Sequence, residues 1–115
     1  MLAAMTALTS SKQLVLNAYQ RLAARDLDGL GQLLHEDFSS HNPDIPAGRT
    51  AAMEFLAGSP TADTKVDIQH VVADGSMVAV HYRALSPGEL KSRSIVDIWR
   101  IDDDLIAEHW DVVQP

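Results

Sequence analysis

Cysteine is absent from the 115 residues of the chain, which excludes disulfides, thiolate nucleophiles and Cys-ligated zinc. Positive charge is scarce: nine Lys and Arg stand against sixteen Asp and Glu, for a formal net charge of −7. The nine are scattered rather than clustered, so a nucleic acid partner is not expected, because phosphate binding needs grouped Lys and Arg. There is no Gly-rich phosphate loop and no serine in a nucleophile-elbow context. Long apolar runs are missing too. Met1 to Leu8 is mildly apolar but has no basic segment before it and is too short to cross a bilayer. Neither a signal peptide nor a membrane partner is expected, and a cytoplasmic protein is the default expectation. His41, His81, His109 and Asp97 have the ligand chemistry for zinc or iron, but no pair stands at the close spacing of a helix-borne site. No metal and no cofactor are expected.

What the chain does have is enough apolar content, 46%, for one core and one domain spanning residues 1–115, with residues 1–10 expected as a flexible tail. Ser10 and Ser11 followed by Gln13 predict an N-cap, and Leu14, Val15, Ala18, Leu22 and Ala23 recur at helical spacing, so residues 11–24 are expected as an amphipathic helix. Asp26 or Asp28 is expected to cap a second, shorter helix with the stripe Leu27, Leu30, Leu33 and Leu34, weakened by Gly29 and Gly31 and ended by His35. Residues 37–48, with two prolines and an Asn-Pro, have loop chemistry. Arg49 to Ala57 returns to helix, and Gly58-Ser59-Pro60 stops it.

Near Pro60 the period changes. Val66, Ile68, His70 and Val72 alternate with other residues, Asp74-Gly75 marks a hairpin, and Met77 to Leu85, Lys91 to Ile101 and Leu105 to Val113 follow between turns. Three helices before a four-stranded antiparallel meander make an α+β domain. A curved sheet of this kind buries one face under helices and can enclose a pocket.

The closing segment Glu108-His109-Trp110-Asp111-Val112-Val113 is unusual for a strand, because it interleaves an imidazole, an indole and two carboxylates. Burying such groups without partners costs roughly 1–3 kcal/mol each. Residues two apart in a strand share a face. His81 and Arg83 therefore share one face of their strand, Asp97 lies with Ile95 and Trp99, and His109 lies with Asp111. If these are one concave face, His81, Arg83, Asp97, His109 and Asp111 converge. The opposite face would then show Val78, Val80, Val96, Ile98 and Val112, an apolar area that predicts a homodimer.

His41-Asn42-Pro43, the strand Val78-Ala79-Val80-His81, the strand Val96-Asp97-Ile98-Trp99-Arg100 and the terminal Ile106-Ala107-Glu108-His109-Trp110-Asp111 resemble the SnoaL-like polyketide cyclases. These belong to the nuclear-transport-factor-2-like superfamily, with ketosteroid isomerases and limonene epoxide hydrolases. The resemblance runs from about Lys12 to the end of the chain. It implies a cone-shaped fold, a curved antiparallel sheet packed on three N-terminal helices around a hydrophobic pocket, and a homodimer. It also implies that Asp97 is the acid/base residue, that His81 and Arg83 are the paired polar positions of the preceding strand, and that Asn42, with His41 beside it, is the polar residue of the loop. Similarity to the epoxide hydrolases places a last-strand acid at Asp111. Arg83 stands where their Arg-x-Asp pair would put its aspartate, which is a departure from the hydrolase pattern.

The resemblance thus implies cofactor-independent acid/base chemistry on a small apolar carbonyl compound, an aldol-type cyclisation or an isomerisation of the lyase or isomerase kind. Asp97 would abstract a proton next to a carbonyl, against a wall that includes Trp99. His41, His81 or His109 would donate to the oxyanion, and Arg83 could hold an enolate or carboxylate. The alternatives are a non-catalytic protein binding a small apolar ligand and an epoxide-hydrolase-like enzyme.

Overall fold

The computed structural model describes residues 10–59 and 63–115. It contains helices α1 (Ser11–Ala23), α2 (Leu27–Gly31) and α3 (Arg49–Ala57), and strands β1 (Leu34–Ser40), β2 (Lys65–Asp74), β3 (Met77–Leu85), β4 (Arg93–Asp102) and β5 (Leu105–Val113). The expected tail, residues 1–10, lies outside the described residues except for Ser10. The Ser10 hydroxyl accepts the Gln13 N–H at 3.0 Å and so satisfies one of the free donors that start α1. Asp26 caps α2 through the Gly29 N–H. A side chain at Gly29 would collide with that carboxylate, so the glycine permits the cap. Among the described residues no helix is long and apolar enough to cross a membrane.

The strands form one curved, unclosed sheet in the order β1-β5-β4-β3-β2. The four-stranded meander expected from the alternation is present as β2 to β5, all antiparallel neighbours, but a fifth strand, β1, lies parallel to β5. The second helix accordingly stops at Gly31. Leu34 opens a strand, His35 lies within that strand, and residues 37–40 belong to it rather than to a loop. Leu30, Leu33 and Leu34 have helical spacing, but two glycines shorten α2. Bonds from Ile106 N to Leu33 O and from His41 N to His109 O then tie the following residues to β5. The β2–β3 hairpin loop is Gly75-Ser76, one residue beyond the expected position, with Gly75 at φ +59°. The β4–β5 turn sets Asp103 and Asp104 both at positive φ, a primed turn made without glycine.

Two bulges decide which side chains face the helices. Gln69 is the extra residue in β2: Ile68 pairs with Tyr82 and His70 with His81. Val66 and Ile68 therefore face inward while His70 and Val72 face outward, and the four do not share one face. In β5, Ala107 is the extra residue between Ile106, which pairs with Ile101, and Glu108, which pairs with Arg100. Ile106 and His109, of opposite parity in the sequence, thus both turn inward. A bulge re-aims side chains in this way beside many binding sites.

Register also overturns one expected grouping. Val80 is the cross-strand partner of Asp97, and His81 that of Val96. Val78 and Val80 are fully buried under α1, packed with Val15, so they do not lie on the outer face. His81 and Arg83 take that outer face instead, across the sheet from Asp97. A second part of the core joins Ala18, Leu30, Leu34, Phe38, Ala52 and Ile106 beneath the three helices.

Candidate active site

A cavity of about 410 Å³ opens between the sheet's inner face and the helices, within the volume usual for small-molecule sites. Its walls are mostly apolar, with Leu22, Leu34, Phe38, Phe55 and Ile106 among them. Several of the polar side chains that reach it come from adjacent strands. Asp97 of β4 is directly opposite Asp111 of β5, and Trp99 is opposite His109.

Asp97 and His109 are each only 5% exposed. His109 Nε2 lies 3.0 Å from Asp97 Oδ1, and its Nδ1 lies 2.7 Å from Ser40 Oγ on β1. The Tyr19 hydroxyl, from α1, donates to Asp97 Oδ2 at 2.5 Å and accepts from Trp99 Nε1 at 3.1 Å. The Trp99 ring covers the imidazole, with centroids 4.2 Å apart. Both carboxylate oxygens of Asp97 are therefore occupied by protein donors, and the Asp97–His109 pair is largely buried, with the indole over its imidazole.

Ser40 lets the imidazole change its charge without losing a partner. With His109 neutral and its proton on Nε2, the serine hydroxyl donates to Nδ1. With His109 protonated, Nδ1–H donates to the serine oxygen, which also accepts the Asn42 N–H at 3.1 Å. Only a hydroxyl, donor and acceptor at once, can serve both states.

Asp111 is arranged differently. Its Oδ2 accepts from Asn42 Nδ2 at 2.9 Å, its other oxygen has no partner among the described residues, and the residue lines the cavity. Asn42 is itself fixed at the end of β1, where its Oδ1 accepts the Asp44 N–H.

The expected site residues thus divide. Asp97, His109, Asp111, Asn42 and Trp99 meet at the cavity. His41, His81 and Arg83 are not part of it. His41 stacks on Trp110 at 4.8 Å and bonds Glu108, which also takes Arg100, and the hydrogen bonds from His41 and then Arg100 hold the Glu108 carboxyl below the usual glutamate range. His81 bonds His70 and Ser94 on the outer face. Tyr19, Ser40, Tyr82 and Arg93 are among the polar residues of the cavity and dyad that escaped the sequence reading. Tyr19 was within reach, because it follows Val15 by one helical turn and a tyrosine on a buried stripe needs a hydroxyl partner.

Burial first, and then the nearby Asp97 carboxylate, push both Tyr19 and Tyr82 far above the ordinary tyrosine pKa. They are the only tyrosines in the chain. Alkaline titration should therefore show no tyrosinate absorbance near pH 10, and the signal should appear only as the protein unfolds. The unfolded chain releases these protons near pH 10 and the folded chain keeps them, so stability falls as pH rises above that value. A folded protein showing tyrosinate near pH 10 would contradict this packing.

Asp97, His109 and Asp111 also bring three potential metal-ligand atoms within 4.8 Å of one another. A cation there would compete with the His109 and Tyr19 hydrogen bonds for the Asp97 oxygens. His35, Asp102 and Asp103 form a second such group on the surface.

The SnoaL-like domain family profile matches residues 15–109. Among solved structures, an NTF2-like protein of unknown function from Cytophaga hutchinsonii superimposes with a TM-score of 0.81 at 16% identity, over 92% of this chain and 91% of that one. A candidate ketosteroid isomerase from Kribbella flavida also gives 0.81, at 21% identity over 91% and 78% of the two chains. A candidate polyketide cyclase from Streptomyces antibioticus gives 0.74, at 18% identity over 91% and 92%. At these identities the likeness establishes an NTF2-like fold. No curated protein sequence matches the chain.

Proposed function

The chain belongs to the SnoaL-like domain family, and from that membership and the cavity's chemistry we propose that it carries out cofactor-independent acid/base chemistry on a small apolar carbonyl compound, an aldol-type cyclisation or an isomerisation. The observation that carries this reading is the pairing of unlike groups on one cavity wall. A carboxylate with an unengaged oxygen, Asp111, stands opposite a buried Asp97–His109 dyad. The sequence suggested Asp97 as the base. We give that role to Asp111 instead, because both Asp97 oxygens already accept protein hydrogen bonds.

In this scheme the free Asp111 oxygen takes a proton from the carbon next to the substrate carbonyl. The electron pair of that C–H bond moves onto the carbonyl oxygen, giving an enolate. His109, with its two ring nitrogens held by Asp97 and Ser40, stabilises the oxyanion through the charge of its protonated ring rather than by a direct hydrogen bond. The enolate carbon then attacks a second carbonyl, or takes the proton back elsewhere along the conjugated system. Asp111 returns its proton to the new alkoxide or carbon, so the residues end as they began. The apolar walls exclude water that would otherwise quench the enolate.

The test is deuterium exchange at the α-carbons of β-tetralone in heavy water, followed by NMR. Exchange well above buffer, lost in Asp111→Asn, is the expected result. A ligand that binds the cavity without any exchange would favour the non-catalytic alternative.

The same reading includes a homodimer through the outer face of the sheet. That face shows Val72, Val96, Ile98, Trp110 and Val112, with Val72 and Val112 66% and 64% exposed. Light scattering should give a dimer mass at micromolar concentration, and Val112→Asp should give a monomer. A monomeric wild-type protein would overturn it.

A further inference from the structure

Arg93 is the one Lys or Arg among the described residues that line the cavity. Arg93 opens β4 on the same face as Ile95 and Asp97, and it pairs with the fully buried Ala84 of β3. It lies four positions along the strand from Asp97, about 13 Å between Cα atoms. Around it are Ser86, Thr64 and Val113, at the ends of their strands, so this is the rim of the cavity.

The guanidinium is only partly engaged. Its Nε faces Glu89 Oε2 at 3.3 Å, and one Nη reaches Ser86 Oγ at 3.5 Å, both long for charged partners. The second Nη has no partner among the described residues. Glu89 is itself occupied: the Ser86 N–H, its largest influence, holds that carboxyl below the usual glutamate range with help from Arg93. The Arg93 charge is also felt inside the cavity, where it opposes the upward push of burial on the Tyr82 hydroxyl.

From this arrangement we infer that Arg93 is a specificity-determining residue that selects substrates carrying a carboxylate at the end remote from the reacting carbonyl. The inference rests on the reading of the cavity as a carbonyl site and adds its substrate class: an apolar keto acid, held lengthwise. The carbonyl lies at Asp111 and His109, the hydrocarbon lies along Ile95 and Phe55, and the carboxylate takes the open side of the guanidinium fork. Arg presents paired N–H groups that match a carboxylate, which lysine cannot reproduce. The acids near the other end, Asp97 and Asp111, repel a carboxylate there, so the molecule has one favoured direction.

The test compares benzoylhexanoate with its methyl ester by calorimetry on the whole protein at neutral pH. The acid should bind about tenfold more tightly than the ester, in line with a charge-assisted hydrogen bond at a partly exposed site. Arg93→Gln should remove that preference by weakening the acid about tenfold while leaving the ester within about twofold. Raising the salt concentration should weaken the acid alone. Equal affinities in the wild type would overturn the role of Arg93 and leave the carbonyl reading standing. So would an Arg93→Gln variant that loses both ligands equally, because the residue would then be supporting the rim rather than reading charge. Binding of neither ligand would overturn this inference, while α-carbon exchange with β-tetralone would still decide the carbonyl reading by itself.

Discussion

Asp111→Asn should lower kcat for the carbonyl reaction by about 10²–10⁴-fold, the usual contribution of a positioned general base, with folding and ligand affinity nearly unchanged. The substitution keeps the shape of the side chain. An asparagine oxygen can still accept from Asn42 Nδ2, so the anchor at 2.9 Å has a counterpart in the variant. Asp111 is only partly buried, and removing its charge leaves no partner charge stranded, because Asn42 is neutral. What disappears is a cavity-lining carboxylate with an oxygen that has no partner among the described residues. The measurement is exchange or turnover in parallel with a thermal melt. A variant that keeps kcat within about threefold, against a base contribution of 10²–10⁴, would remove Asp111 from the base position. Asp97 would be the next residue to test.

The division of labour between these two carboxylates could not be read from the sequence. Both stand among apolar neighbours, two strands contribute one each, and nothing in their flanking residues separates them. The difference comes from groups far away in the chain. Tyr19 lies 78 residues before Asp97 and occupies it, whereas Asn42 leaves half of Asp111 open.

The parts of the fold that were legible are those whose signal is local. Ser10 with Gln13 placed the start of α1, the Leu and Ala stripe carried it to its end, and the switch to alternation marked the four antiparallel strands. The terminal Glu108-His109-Trp110-Asp111 and the His41-Asn42-Pro43 turn carried the family resemblance, and the family profile covers the turn and the terminal segment as far as His109. β1 was not legible, because its seven residues hold only two apolar side chains, Leu34 and Phe38, and a Pro-rich loop follows. Its place beside β5 comes from pairing across the chain, which no window of sequence contains.

The assignment of faces failed for a different reason. In β3, Val78, Val80 and Ala84 face one way and Met77, Ala79 and Leu85 the other, so the strand is apolar on both sides and parity has no anchor. His81 and Arg83 share a face, as alternation requires, but it is the outer one. Arg93, which does reach the cavity, lies at a strand end beside Ser-Pro-Gly turn chemistry and looks like an ordinary surface cation. The bulges at Gln69 and Ala107 leave no glycine or other mark, yet each moves the residues beyond it to the other face.

The second large effect concerns stability and comes from the same dyad that the proposed chemistry uses. His109→Leu should destabilise the fold by about 3–5 kcal/mol, the cost of removing one member of a buried ion pair, or roughly 10–20 °C in Tm for a domain of this size. The two side chains are only 6% and 7% exposed, so solvent cannot replace the lost partner. Asp97 would retain Tyr19 on one oxygen, while the other would face leucine in the shadow of Trp99. Ser40 would lose its acceptor on the imidazole as well. Adding Asp97→Asn should recover much of the loss, because a neutral amide can still accept from Tyr19 and no buried charge remains. The double-mutant cycle, read by chemical denaturation, should then show a coupling well beyond the few tenths of a kcal/mol expected of independent sites. A cost below about 1 kcal/mol for His109→Leu alone would mean that the imidazole is not holding a charged Asp97. The oxyanion role given to His109 would fall with it, because that role rests on the imidazole being held against the Asp97 carboxylate at 3.0 Å.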